Sequence, residues 1–213
     1  MGQQINQYTI DRTTFGDDDY YDVDYWDGAT YQTAKIKGSV IRSAVSSSGL
    51  YAQTIVSATI NTVGEQSVVG TGVGGLSIPA NTFVVGDSYH GKIGGLINAT
   101  GGGGRSEITI NIKAGSTILA TTGVFDLDTA TNEGWECELD FTIASIGAVG
   151  SICTNGNFAY TKDGNRAVYG YIFQDVQPID TTISNTLDVT VEWNVLNAGD
   201  DIYSANFVLY KTY

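Results

Sequence analysis

The sequence predicts an all-β chain folded as an antiparallel sandwich or barrel, and three observations carry that expectation. From about residue 63 onward apolar and polar residues alternate with a period of two, as half-buried strands require. Turn residues recur about every ten positions, the spacing of hairpins in such folds. No window sustains a helical repeat beyond about one turn, that one near "DTATNEG".

Composition narrows the functional classes. A chain of 213 residues suffices for one sizeable domain plus an extra segment. A unit of that size buries about 70% of its unfolded surface, so no staple is needed. Charged residues make up only 15% of the chain against 42% hydrophobic, with 27 glycines and two prolines, which favours a turn-rich folded β protein over disorder. The net charge of −13, with ten scattered Lys and Arg, argues against nucleic acid, because phosphate binding needs clustered cations. The opening "MGQQINQYTIDRTTF" lacks a basic region followed by an apolar run, and no segment has about 18 uninterrupted apolar residues. The expectation is a chain without cleaved leader or membrane insertion. Asn at position six also speaks against myristoylation.

Taken in order, residues 1–45 form a first segment dominated by "DDDYYDVDYWDGATYQTAKIKG", where aspartates alternate with aromatic rings. Residues 46–63, within a stretch rich in small and hydroxylated residues, read as an extended connector. Residues 64–213 read as the sandwich, with about nine or ten strands separated by turn signals such as "PAN", "GGGGR", "TNGN" and "KDGN". "EITINIKAG" sets Ile108, Ile110 and Ile112 against Thr109, Asn111 and Lys113, and "WECELDFTI" sets Trp135, Cys137, Leu139 and Phe141 against Glu136, Glu138 and Asp140. In each, one face is expected in the core and the other in water. The final strand carries Phe207 and Leu209 on one side and Val208 and Tyr210 on the other, an arrangement suited to burial in the fold or against a neighbour. Cys137 and Cys153 form no metal or redox motif, and a hairpin near Gly147–Gly150 would leave them out of register, so two reduced thiols are expected.

Several of these words together resemble a known family. "GTGVGGLSIPANTFVVGDSYHGKIGGLINA", "SEITINIKAGSTILATTG", "WECELDFTIASIGAVGSICTNGNF" and "DTTISNTLDVTVEWNVLNAGDDI" resemble the jelly-roll domain of tailed-bacteriophage virion proteins. The most telling words are Ile78-Pro79-Ala80-Asn81-Thr82-Phe83 before Val85-Gly86-Asp87, and Asn185 to Trp193. An acidic, aromatic word closing in Asp-Gly, Asp22 to Gly28, followed by Tyr31, Lys35, Ile36 and Gly38, has the look of the segment that precedes the distal domain in such proteins. The resemblance implies an antiparallel jelly-roll sandwich with a topology like tumour necrosis factor, usually a homotrimer, found in head fibres, tail appendages and capsid-surface proteins.

Asp22, Asp24 and Asp27 in "DVDYWDG" suggest calcium, but the third acid comes one residue late and Thr33 stands where a bidentate glutamate is needed. A solvated hairpin turn at Asp-Gly accounts for the aspartates. It does not account for Tyr20, Tyr21, Tyr25, Trp26 and Tyr31, which suit a docking element that buries its rings on a partner better than packing on the chain's own sandwich. "GGLINATGGGGRS" lacks the helix and the Lys-Ser/Thr of a phosphate loop. His90 has no partner close in sequence for a catalytic dyad, and Glu136, Glu138 and Asp140 read as a solvated face rather than a glycosidase pair. Tyr160, Lys162, Arg166 and Tyr169 flank a hairpin where sugar could stack at a distal tip. No cofactor is expected. The sequence reading is therefore a non-enzymatic protein of the virion surface, anchored to a capsid, neck or tail subunit by its first segment and presenting a trimeric jelly roll to a host glycan or protein. The alternative is a cementing or decoration protein without host contact.

Overall fold

The computed structural model describes residues 20–26, 28, 30–37, 49–101, 105–162 and 165–213, with the backbone alone at residues 21, 23–26, 31 and 165–173. The chain divides into two units, Met1–Ser47 and Ser48–Tyr213. Among the described residues there is no helix. In the first unit, β1 (Tyr20–Trp26) and β2 (Tyr31–Lys37) pair as an antiparallel hairpin. Gly28 in its turn has φ 98°, in the left-handed region where a Cβ is costly.

The second unit holds two antiparallel sheets. Its strands are β3 (Gly49–Gln53), β4 (Gly64–Ser67), β5 (Gly72–Gly74), β6 (Ser77–Ile78), β7 (Ser88–Ala99), β8 (Ser106–Ala114), β9 (Thr117–Thr121) and β10 (Phe125–Leu127). They continue as β11 (Ala130–Ser145), β12 (Gly150–Lys162), β13 (Asn165–Ile179), β14 (Asn185–Val195) and β15 (Asp201–Lys211). The larger, seven-stranded sheet runs β13-β12-β11-β7-β15-β3-β5. The smaller, six-stranded sheet runs β10-β8-β14-β4, with β9 also on β8 and β6 also on β14.

Alternation places the core as the sequence implied. Trp135, Cys137, Leu139 and Phe141 of β11 are buried together with Ile108, Ile110 and Ile112 of β8 and Leu187, Val189, Val191 and Trp193 of β14. The two sheets meet in this one cluster, where the Phe125 ring of the smaller sheet lies 5.4 Å from that of Phe158 in the larger. Each such ring or branched chain contributes about 1.5–3 kcal/mol on burial, which is what holds two half-polar sheets face to face. β15 is an interior strand with Phe207 and Leu209 buried, while Val208 and Tyr210 face outward and are 42% and 38% exposed. Both cysteines are free; Cys137 stands opposite Phe158 and Cys153 opposite Thr142, so their register positions are well apart.

Two expectations change. Of the stretch 46–63, read as a connector, the described residues from 49 on join the sandwich at two places: β3 pairs with β15, with Tyr51 set obliquely against Phe207 at 5.7 Å, and Ile60 bridges Ile202 with 1% exposure, while Thr54, Ile55 and Val56 between them are exposed. Its apolar residues come in short groups such as Leu50-Tyr51 and Ile55-Val56, without a sustained period, and Tyr51 and Ile60 acquire their role only from a strand that lies far along the chain. The polar face of β8 is not wet either. Thr109 and Asn111 are buried because Asn194 and Glu65 accept their hydrogen bonds and cover them.

The words that carried the family resemblance build turns and core. Asp87 accepts from the Val84 amide at 3.0 Å and pairs with Lys211 at 2.6 Å, and Phe83 is buried between them and the core. The loops at this end are tied together by the Asn81 amide to Thr181, the Thr181 amide to Gly147 and the Gly86 amide to Ile143. They expose Val84, Val85, Ile146, Val149 and Ile183.

Candidate functional site: the acidic hairpin and the outer sheet faces

The hairpin register sorts its residues into two alternating sets. One contains Tyr20 opposite Lys37, Asp22 opposite Lys35, Asp24 opposite Thr33 and Trp26 opposite Tyr31. The other contains Tyr21 opposite Ile36, Val23 opposite Ala34 and Tyr25 opposite Gln32. Opposite charges facing across strands, and the Lys37 ammonium 5.5 Å from the Tyr20 ring centre, favour this register over a slipped one. The first set is charged and exposed at Tyr20, Asp22, Lys35 and Lys37, whereas Ala34 and Ile36 of the second are half-buried. Of the expected docking residues, Tyr20 is 58% exposed, and the side chains of Tyr21, Tyr25, Trp26 and Tyr31 lie outside the described residues. Asp27 of the expected calcium set lies outside them as well, while Asp22 and Asp24 share one strand and one set.

The expected tip contacts separate. Tyr160 is a core residue, 5% exposed, whose hydroxyl accepts from the Asp128 amide at 2.9 Å. Lys162 pairs with Asp128 at 2.9 Å. This corrects the reading of Tyr160 as a sugar platform: alternation puts it in the inward set with Phe158. Arg166 and Tyr169 lie on β13, their side chains outside the described residues.

The outer face of the larger sheet gathers side chains that are remote in sequence. His90 Nδ1 donates to Asp140 Oδ1 at 2.7 Å, and its ring lies 5.2 Å from that of Tyr210. Lys92 Nζ bridges Glu136 at 2.8 Å and Glu138 at 2.9 Å. Glu136 and then Glu138 raise the Lys92 pKa, and Lys92 in turn lowers that of Glu138. Beside this ladder is an open groove of about 410 Å³, lined by His90, Lys92, Gly94, Glu136, Asn206 and Tyr210 among others. Gly94 forms its floor, and a Cβ there would lie 2.7 Å from the Trp135 carbonyl oxygen. The sequence marked Glu136, Glu138 and Asp140 as an outer face but missed Lys92, Asn206 and Tyr210. The doublet Gly94-Gly95 inside a strand was the available signal, since glycine there marks close backbone approach.

On the smaller sheet, Glu65 accepts from Asn111 at 2.9 Å, from Thr190 at 2.6 Å and from Lys113 at 2.8 Å. The Lys113 and Thr190 bonds hold its carboxyl far below the usual range, at about 2. Both carboxylate oxygens of Glu65 are engaged by these donors, so the network fastens β4 to β8 and β14. Cys137, its pKa pushed up to about 12 by burial, is an inert thiol.

No family model matches the chain, and no curated protein or solved structure matches it.

Proposed function

We propose that the protein is a non-enzymatic component of a virus-particle surface, of the head-fibre or tail-appendage type. Its hairpin unit docks on a capsid, neck or tail subunit, and its sandwich, a trimeric jelly roll, is displayed for host adsorption or surface decoration. The observation that carries this reading is the hairpin. A two-stranded ribbon is at best marginally stable alone, and this one sets Tyr21, Val23, Tyr25, Ala34 and Ile36 in a single alternating set that calls for a covering surface.

The strand pairings support the jelly-roll assignment. Wrapping one long antiparallel hairpin of eight strands pairs the first with the last, the second with the seventh, the third with the sixth and the fourth with the fifth. Taking β3, β4, β7, β8, β10, β11, β14 and β15 as those eight, the pairs β3/β15, β4/β14, β7/β11 and β8/β10 follow that order. β12 and β13 extend the larger sheet beyond it. The exposed Val84, Val85, Ile146, Val149 and Ile183 are consistent with a neighbour covering that end. Trimerisation itself comes with the resemblance, and three weak contacts engaged together would give avidity without a deep pocket.

The test is occupancy of particles. Tyr25→Ala protein should be depleted from assembled particles while its sandwich melts as in the wild type; normal occupancy would overturn the docking role. A protein that occupies particles but neither binds host cells nor competes with infection would instead fit the cementing role.

A further inference from the structure

The groove over Gly94 has the chemistry of a ligand site, and resting on the attachment reading, we propose that it binds a neutral sugar residue of a surface glycan. Its volume of about 410 Å³ lies within the roughly 300–1,000 Å³ of small-ligand sites. The depression is made by backbone, not by chance gaps between side chains. β15 carries a bulge between Ser204 and Asn206, leaving Ala205 as the extra residue and setting Asn206 opposite Gly94. Gly94 must be glycine because the Trp135 carbonyl sits where its Cβ would go. The result is a missing side chain at the centre of an otherwise populated face.

The walls supply what a pyranose needs. Tyr210, 38% exposed, offers an aromatic ring for the apolar face of a sugar. His90, directly opposite on β7, packs its ring against that of Tyr210 and is itself held by Asp140, so the platform is braced before a ligand arrives. Asn206 carries an amide that donates and accepts, and it makes no hydrogen bond among the described residues. Lys92 uses two of its three N–H groups on Glu136 and Glu138, leaving the third for a hydroxyl, and Glu136 has a second oxygen to accept one. Charge selects the class of sugar. Glu136, Glu138 and Asp140 outnumber Lys92 on this face, so a carboxylated or sulfated sugar meets repulsion and a neutral hexose or N-acetylhexosamine does not.

The experiment is isothermal titration of the full chain with maltotriose, mannotriose, galactobiose and chitotriose, with N-acetylneuraminic acid as the anionic comparison. At least one neutral oligosaccharide should bind in the micromolar to millimolar range. Tyr210→Ala should weaken it about tenfold or more and Asn206→Ala severalfold, with melting temperatures unchanged for Asn206→Ala, while Lys113→Ala on the other sheet leaves binding as it was. The site is overturned if no neutral sugar binds, if the acidic sugar binds best, or if the Tyr210 and Asn206 variants bind like the wild type. Host-cell adsorption separates the two readings: wild type and Tyr210→Ala adsorbing equally would remove the groove and keep attachment, whereas sugar binding without adsorption would do the reverse.

Discussion

Glu65 is an acid placed where protonation undoes structure. Its carboxyl titrates near 2 in the folded protein against 4.5 for a free glutamate, so it binds its proton less readily folded than unfolded. The stability it contributes is therefore complete above about pH 4.5 and is lost as pH falls towards 2. Because its side chain is 33% exposed, screening reduces the contribution to about 1–2 kcal/mol. Wild-type melting temperature should drop across that interval more than that of Glu65→Gln, as followed by circular dichroism; parallel curves would refute the assignment. Asp200 matters through its hydrogen bonds alone. It is 2% exposed and accepts from the amides of Thr100 and Asn197 and from the Ser106 hydroxyl, tying the β7–β8 loop to the β14–β15 loop. Asp200→Ala leaves buried donors unpaired and should cost about 2–4 kcal/mol in urea unfolding. Neither partnership was legible in the sequence. Alternation says which face a residue takes, but Glu65 and Thr190, or His90 and Asp140, meet only because of which strands become neighbours.

Strands were legible in proportion to their length. β7, β8, β11, β14 and β15 alternate over nine residues or more and so announce both their existence and their inner face. β3, β5 and β6, with five residues or fewer, have no room for a period, and β3 reads as linker in the sequence because only pairing with β15 makes it a strand. The hairpin was half legible: Asp-Gly marked its turn and the rings its purpose, but the sorting into charged and apolar sets needed the register. That sorting makes a prediction that sequence alone could not. Ile36→Asp, in the apolar set, should reduce particle occupancy several-fold, whereas Lys35→Ser, in the charged set, should leave it near normal. Quantitative immunoblots of purified particles would decide, and equal loss in both would mean that the sets are not functionally distinct.

At the scale of the molecule, multi-angle light scattering of the full chain should give three times the chain mass of 22.6 kDa. A single mass would weaken the avidity argument and favour the cementing role. The order of strand pairing has a further consequence for biosynthesis. β3 and β4, made early, find their partners in β15 and β14, made late, and β7 acquires its second neighbour only with β15. A ribosome that has passed β12 can release hairpins but not a sandwich, because the contacts that close it span most of the chain. A message cut before Asp201 would therefore yield no smaller version of the domain. It would yield an open sheet whose β7 edge and unpaired β3 are free to recruit other chains, so this domain stays open to such recruitment until β15 has been made.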